Sequence, residues 1–178
     1  TSGEPSEATG ADLVIEKINP GATAAILFTS GSTGAPKGVT ETHAALLGNA
    51  WSTLDVLGLT PRDRLVMATP FLFISAFSHF LVCLLAGTEF VATEQRLFKG
   101  DLAARLRDCQ ATWFGGSPLQ VRWIGEVGQK TPFPDLRALM SSGDHLGVDV
   151  IEMVRRALPG VDLFTVYGMT ELAGRFCI

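Results

Sequence analysis

The sequence predicts an α/β fold, a mostly parallel sheet with helices on both faces, and two observations lead to this prediction. Short apolar runs alternate along the chain with segments whose apolar residues recur at helical spacing, a pattern typical of parallel sheets. Hydrophobic residues make up 47% of the 178 residues and charged residues only 18%, whereas an average soluble domain has about 25% charged residues. This composition excludes a disordered chain.

The first part of the chain predicts a linker, a strand and a helix. Residues 1–12 are small and polar without periodicity, which is typical of a linker. Ala22–Phe28 is a compact apolar run and predicts a strand. Thr42–Leu57 predicts a helix whose start Thr40 or Thr42 could cap with its hydroxyl group. The apolar stripe of this helix comprises Leu47, Ala50, Trp51, Leu54 and Leu57.

Residues 65–88 carry no formal charge and are long enough to span a bilayer, but Pro70 and several polar residues interrupt the run. Leu65–Ala68 predicts a short buried strand, which ends before Pro70 because proline cannot donate a hydrogen bond to a sheet. Ser75–Ala86 predicts a helix packed on more than one side. We therefore expect a buried strand and helix here and no membrane span.

Strands and helices continue to alternate in the rest of the chain. The predicted strands are Glu89–Thr93, Ala111–Gly115, Ala138–Ser141 and Val161–Val166, and the predicted helices are Asp101–Asp108, one that begins at Pro118, and Val148–Leu158. The last helix is expected to turn Val148, Ile151, Val154 and Leu158 inward. Because ligands bind outside the carboxyl ends of parallel strands, the loops after the strands are the candidate functional segments.

Charge and cysteine content exclude several classes of protein. Fourteen basic and 18 acidic residues give a net charge of −4, so the chain has no general electrostatic attraction for nucleic acid or anionic membranes. Cys83, Cys109 and Cys177 are dispersed, without the spacing of a thiolate zinc site or a disulfide framework. We expect buried, reduced thiols in a cytoplasmic protein. Residues 1–10 lack the basic start of a signal peptide.

The loop after the first predicted strand has a composition suited to binding phosphate. It comprises Thr29, Ser30, Gly31, Ser32, Thr33 and Gly34, followed after two residues by Lys37. Glycines let successive N–H groups converge on an anion, hydroxyl groups add donors, and a lysine adds positive charge. The loop is not of the Walker A type, because Gly38 stands where that motif requires Ser or Thr. A surface turn with a solvated lysine is the alternative.

A second unusual segment, YGMTE at Tyr167–Glu171, follows the last predicted strand. Alone it also fits a strand end with a core tyrosine and a solvated glutamate. Together with TSGSTGAPKG at Thr29–Gly38, however, it resembles two signatures of the adenylate-forming (AMP-binding) enzymes in their family order. That superfamily includes acyl- and aryl-CoA synthetases, firefly luciferase and the adenylation domains of nonribosomal peptide synthetases. Ser141–Asp144 resembles the family's adenine-side loop, and Thr69–Phe73 resembles its acyl-pocket segment.

The resemblance implies a flavodoxin-like subdomain of an ATP-dependent ligase. Family members couple a carboxylic acid to ATP, giving an acyl-adenylate and pyrophosphate. Most then transfer the acyl group to the thiol of coenzyme A or of a carrier protein's phosphopantetheine. By this resemblance, Thr29 to Gly34 and Lys37 hold the β- and γ-phosphates, Gly143 and Asp144 line the adenine, Tyr167 stacks beside it, Thr170 donates to the α-phosphate, and Glu171 helps hold Mg²⁺. Lys37, Thr170 and Glu171 are thus the candidate catalytic residues.

The resemblance also indicates a substrate pocket, with Phe73, Gly115, Gly116 and Met169 as candidate wall residues. Members that activate amino acids usually carry an aspartate near the position of Phe73, which pairs with the substrate ammonium. No acid stands there in this chain, and a buried ammonium without a partner is costly. We therefore expect a fatty, aryl or other uncharged-chain acid rather than an α-amino acid. We expect His79, inside a predicted helix, to be a core or interface histidine.

The extent of the resemblance suggests part of a larger enzyme. Residues 13–178 are expected to be a partial adenylation domain without its N-terminal part and without the small C-terminal domain that carries the catalytic lysine. In isolation we expect weak ATP binding, no acyl-adenylate, and self-association through exposed apolar surface. One alternative is a non-catalytic nucleotide-binding or structural remnant of this fold. Another is an unrelated flavodoxin-like domain that binds a different phosphate ligand, which indifference to adenine would favour.

Overall fold

The computed structural model describes residues 17–29, 35–93 and 98–178. Within these ranges the strands are β1 (Thr23–Thr29), β2 (Lys37–Thr42), β3 (Arg64–Met67), β4 (Glu89–Ala92), β5 (Trp113–Gly116), β6 (Ala138–Ser142), β7 (Asp162–Met169) and β8 (Gly174–Cys177). The helices are α1 (His43–Leu57), α2 (Ile74–Ala86), α3 (Lys99–Asp108), α4 (Pro118–Gly128) and α5 (Val148–Ala157), with a short 3-10 helix at Thr170–Leu172. The predicted linker, residues 1–12, lies outside the described residues.

A six-stranded sheet in the order β4-β3-β5-β6-β7-β8 forms the centre of the molecule. All neighbours from β4 to β7 pair in parallel, and only β8 runs antiparallel to β7. Parallel pairing requires long crossovers, which the intervening helices supply. The predicted α/β class with a mostly parallel sheet is therefore confirmed.

Two hydrophobic cores cover the two faces of this sheet. Side chains alternate between faces along a strand, so Val66 belongs to one core while Leu65 and Met67 belong to the other. Helices α3, α4 and α5 pack on the Val66 face, and α1 and α2 pack on the opposite face. The central strands are thus buried on both sides, which explains why they read as uninterrupted apolar runs.

The first predicted strand does not join the parallel sheet, and this part of the prediction was wrong. β1 pairs with β2 as a separate antiparallel hairpin, with Thr29 opposite Lys37. Only seven residues, 30–36, separate the two strands, whereas a parallel crossover needs about a dozen or more. The short connection therefore permits only antiparallel pairing between these neighbours.

Helix α1 begins where predicted but buries a different stripe. Thr42 is its N-cap, since the Ala45 N–H donates to Thr42 Oγ1 over 3.1 Å. The buried residues of this helix are Leu46, Ala50, Thr53 and Leu57, whereas the predicted core residues Leu47 and Trp51 are exposed. The polar Thr53 is buried because it has a hydrogen-bond partner in β8, which the apolar pattern alone does not reveal.

Three further predictions are corrected at the level of single residues. In α5, Val148 is exposed and Val150 is buried instead, because two residues turn a helix by about 200°, which places Val148 away from the face that buries Val150 and Val154. Cys83 is buried as predicted, but Cys109 is only partly buried and Cys177 is exposed on β8.

Among the helices in the described ranges, none has both the length and the apolar character needed to cross a membrane.

The end of the sheet differs most from the prediction. The last predicted strand ended at Val166, but β7 continues to Met169 and pairs with the unpredicted strand β8. Tyr167, Gly168 and Met169 therefore lie in a strand rather than in a loop. The two strands approach closely at Gly168, where an added Cβ would lie 1.9 Å from the Gly174 carbonyl oxygen. Only glycine permits this approach.

Candidate functional site

Several of the predicted site residues lie at the carboxyl ends of β6 and β7. Gly143 and Asp144 follow β6, and the 3-10 helix that carries Thr170 and Glu171 follows β7. These two strands are parallel neighbours, so their carboxyl ends meet at one edge of the sheet. Two cavities flank this edge and share the backbone around Gly143 and Gly168.

The larger cavity, of about 760 Å³, contains the residues predicted to face adenine. Gly143, Asp144 and Tyr167 all line it. Gly143 has φ +91° and open space around the position of a side chain, so a flat ring can approach the backbone there. The Tyr167 ring is 64% exposed, which leaves a face available for stacking. The structure thus brings these three predicted residues together.

The smaller cavity, of about 200 Å³, contains two of the four predicted pocket residues. Phe73 and Met169 line it, together with the start of α2 and Thr170. Gly115 and Gly116 do not line it, because both are buried within β5 between packed side chains. An added Cβ at Gly115 would lie 2.7 Å from Met67 Cε. These two glycines accommodate core packing, and Gly174 and Arg175 of β8 line the cavity.

His79 is buried, as predicted for a core histidine. Its Nδ1 bonds to the Ser75 carbonyl oxygen, and its Nε2 lies 2.9 Å from Met140 Sδ. Burial, and after it the nearby Arg175 charge, lowers the pKa of His79 well below its ordinary value, so the imidazole is neutral at pH 7. It also lines the smaller cavity, to which it contributes a polar but uncharged surface.

Sequence reasoning missed Arg175, the most unusual residue of the smaller cavity. Its side chain is buried, and its Nη1 donates to Thr53 Oγ1 over 3.2 Å. Its Nε and Nη2 have no hydrogen-bond partner among the residues that the structure describes. Burial lowers the pKa of Arg175 to about 10, so the guanidinium stays charged at neutral pH. An arginine within the otherwise apolar end of the chain was the available sequence signal.

The predicted phosphate loop is described only at its two ends. Ser30, Gly31, Ser32, Thr33 and Gly34 lie outside the described residues. Thr29 ends β1 and Lys37 begins β2, and the two residues pair across the hairpin. Lys37 is exposed, so its ammonium is accessible to a ligand. The hairpin therefore holds the two ends of the loop side by side.

Glu171 has an unexpected neighbour in Glu41 of β2, which packs against the 3-10 helix. Glu41 is 4% exposed, and its Oε1 has no hydrogen-bond partner within the described ranges. Burial raises the pKa of Glu41, the Ala173 N–H opposes this, and the Glu171 charge raises the pKa further. The β1–β2 hairpin is therefore placed beside the YGMTE segment.

Comparison with known proteins agrees with this geometry. The family model described as "AMP-binding enzyme" matches residues 2–178. A phenyloxazoline synthase, MbtB, from Mycobacterium sp. (strain MCS) is 34% identical over 158 residues, which cover 88% of this chain and 13% of that protein. The chain therefore spans a small part of this relative.

Solved structures show the same fold. The o-succinylbenzoate coenzyme A synthetase MenE from Bacillus subtilis, in complex with AMP, superposes with a TM-score of 0.78 at 28% identity, covering 88% of this chain and 32% of that chain. VinN in complex with L-aspartate superposes with a TM-score of 0.78 at 26% identity, covering 89% of this chain and 40% of that chain.

Proposed function

The chain belongs to the AMP-binding enzyme family, and from this premise we propose that it forms the nucleotide-binding core of an ATP-dependent ligase that activates a carboxylic acid. The observation that carries the proposal is the pair of adjoining cavities at the ends of β6 and β7. One is lined by the predicted adenine residues, and the other is lined by Thr170 and by the start of α2. An ATP and an acid bound there would meet at their shared edge.

The reaction needs two anions to approach each other, a carboxylate and the α-phosphate of ATP. A carboxylate oxygen forms a bond to the α-phosphorus, and the bond from that phosphorus to the pyrophosphate oxygen breaks. We propose that Thr170 donates to the α-phosphate and that Lys37, with the loop Thr29–Gly34, holds the β- and γ-phosphates. Preorganised donors of this kind stabilise charge as it develops in the transition state.

Gly143, Asp144 and Tyr167 would hold the adenine. Their shared cavity, the open backbone at Gly143 and the exposed Tyr167 ring support this role. The MenE structure contains AMP, and we extend nucleotide binding to this chain by family membership. Binding of ATP should therefore depend on these residues even where adenylation is absent.

Glu171 would contribute one carboxylate to a Mg²⁺ ion that ATP carries. Among the described residues, no three His, Cys, Asp or Glu side chains gather into a metal site. Mg²⁺ in phosphate-transfer sites is usually held by one or two carboxylates together with substrate phosphates and water, so one glutamate fits that arrangement. The ion would neutralise phosphate charge during the reaction.

A thiol acceptor completes the proposed reaction. We propose coenzyme A or a carrier-bound phosphopantetheine, because the relatives include a coenzyme A synthetase and a large synthase. The acyl-adenylate carbonyl would be attacked by the thiolate, and AMP would leave.

ATP–pyrophosphate exchange tests the proposal on the full-length protein that contains this sequence. We expect exchange that depends on a carboxylic acid, supplied from a panel of fatty, aryl and α-amino acids. Glu171→Gln should reduce exchange at least about tenfold, and higher Mg²⁺ should restore part of it. Glu152→Gln, an exposed glutamate of α5, is the matched control and should leave exchange unchanged. Exchange with no acid of the panel would contradict the proposed activity and favour a non-catalytic remnant.

A further inference from the structure

The smaller cavity is lined by a buried positive charge that has no acidic partner in the part of the chain that the structure describes. Arg175 lines this cavity, and neither Asp nor Glu is among the described residues that line it. His79, the other ionisable residue of the lining, is buried and neutral. A guanidinium buried without an anion is unfavourable, because the lost hydration is not replaced. The cavity therefore favours a ligand that brings negative charge.

The unpaired edge of Arg175 is the edge that binds carboxylates side-on. Its Nε and Nη2, the two nitrogens without a partner, carry parallel N–H groups, which match the two oxygens of a carboxylate. Both nitrogens are enclosed by the cavity wall, so neighbouring wall side chains must shift for a carboxylate to reach them. The same edge of Arg137 binds Asp63 in this molecule, with Nε and Nη2 each 2.6 Å from a carboxylate oxygen. Arg175 has the geometry of Arg137 without the aspartate.

Helix α1 holds Arg175 in place before any ligand binds. The Asn49 side-chain amide donates to the Arg175 carbonyl oxygen over 2.8 Å, and Thr53, one turn later, accepts from Arg175 Nη1. Pairing of β8 with β7 fixes the backbone on the other side. A guanidinium fixed in this way loses little entropy when an anion binds.

Thr170 and the start of α2 complete the same cavity. By the proposed function, the reacting carboxylate lies near Thr170, which leaves Arg175 for another part of the acid. Ser75 and Ser78 add hydroxyl groups to the wall, while Phe73 and Met169 cover the carbon chain. The arrangement suits a short acid that is anionic at both ends.

We propose that the substrate is a dicarboxylic acid, or an acid with another second anionic group, whose non-reacting anion pairs with Arg175. This inference rests on the proposed function, and it replaces the expected uncharged-chain acid with an acid that carries a second anionic group. An acid with an ammonium at the same position would meet Arg175 with like charge and be rejected.

Matched acids that differ only at the far end test the inference by direct binding. Calorimetry on the full-length protein, with and without AMP, would compare butyrate, succinate and 4-aminobutyrate, and then hexanoate, adipate and 6-aminohexanoate. We expect the diacid of at least one series to bind about ten- to a hundredfold more tightly than the monocarboxylic acid of the same length, as a charge-assisted hydrogen-bonded pair would give. Arg175→Met should remove this preference, and Arg175→Lys should retain part of it.

Arg155→Met provides the control, since Arg155 is exposed on α5 and should not affect the preference. Retained binding of the monocarboxylic acids would show that the Arg175→Met protein is folded. The inference is overturned if the monocarboxylic acid binds as tightly as the diacid, if Arg175→Met weakens binding of both acids equally, or if no acid binds. Absence of pyrophosphate exchange with every acid would instead contradict the proposed function, while the binding preference would still decide the role of Arg175.

Discussion

Asp63 shows how a single buried carboxylate can be stabilised by the residues around it. It accepts hydrogen bonds from Arg137, from the Thr60 backbone and hydroxyl group, and from Thr112, at 2.6 to 2.8 Å. Burial alone raises the pKa of Asp63, but these hydrogen bonds, that of Arg137 foremost, outweigh it and hold the pKa well below its ordinary value. The carboxylate links the segments that lead into β3, β5 and β6.

A pH-dependent loss of stability follows from this pKa. Because the folded-state pKa lies below the unfolded value of about 3.9, the stabilisation is fully present above that value and is lost as pH falls toward the folded pKa. Asp63→Asn should lower the free energy of unfolding at pH 7 by about 2–3 kcal/mol, less than the loss for a fully buried pair because Arg137 is partly hydrated. Denaturant unfolding at several pH values measures this.

The difference between wild type and Asp63→Asn should shrink as the pH is lowered below about 4. Asp149→Asn serves as a control, since Asp149 pairs with Arg122 on the surface, and it should change stability far less. A difference that stayed constant from pH 7 to pH 2.5 would contradict the assigned pKa shift.

Lys37 provides a second prediction at the residue scale. If its ammonium contacts the β- and γ-phosphates, Lys37→Ala should weaken binding of Mg-ATP about ten- to a hundredfold and leave adenosine binding unchanged. Calorimetric titration with both ligands measures this difference, and Lys130→Ala, another exposed lysine, is the control. Equal weakening of both ligands would show that Lys37 does not contact the phosphates.

At the scale of elements, the close crossing of β7 and β8 determines the shape of the site. β8 brings Arg175 into the smaller cavity, and β7 brings Tyr167 to the larger one. Both positions depend on the approach at Gly168, where a side chain would overlap the backbone of Gly174. The YGMTE segment therefore has a structural requirement for its glycine in addition to any chemical role.

Two glycine substitutions should have opposite effects. Gly168→Ala would force β8 away from β7, and we expect it to lower the free energy of unfolding by at least about 3 kcal/mol. Gly48→Ala, in helix α1 with nothing within 4 Å of the added Cβ, should raise it by about 0.5–1 kcal/mol, because alanine favours the helix. Urea unfolding of both variants measures the contrast, and a Gly168→Ala protein as stable as wild type would contradict the described crossing.

At the scale of the whole molecule, the chain exposes much apolar surface. The β1–β2 hairpin lies outside the main sheet and exposes Ile26 and Phe28, which are 57% and 72% accessible. Trp51 of α1 and Leu84 of α2 are exposed as well. Large exposed apolar patches promote association between protein chains. The exposed apolar residues also agree with the high hydrophobic content of the sequence.

We expect the 178-residue chain to self-associate in a concentration-dependent manner. Replacing Ile26 and Phe28 together with threonine, which also favours strands, should shift the equilibrium toward monomer. Val148→Thr, at an exposed position of α5 outside the hairpin, should have a smaller effect. Sedimentation velocity over a range of concentrations measures this, and a chain that remains monomeric throughout would contradict the prediction.

Local signals account for what was predicted correctly. Local sequence patterns located the five α-helices that the structure describes and five strands of the main sheet to within a few residues, because each such pattern depends on neighbours a few positions apart. Thr42 was one of the two candidate caps, with Thr40, because capping involves contacts within three residues, and the structure selects Thr42. The two signature segments were readable for the same reason, as each is a continuous run of residue types suited to nucleotide chemistry.

The sequence by itself determined the α/β class, the order of the helices and central strands, and the family to which the chain belongs. Only the tertiary structure decided that β1 and β2 form a separate hairpin, that β8 joins the sheet, and that Arg175 enters a cavity beside α2. These features depend on contacts between residues far apart in the chain, such as Asn49 with Arg175. Arginine side chains are usually exposed, and whether Arg175 is buried without an acidic partner depends on which elements pack around it. No local pattern encodes that packing.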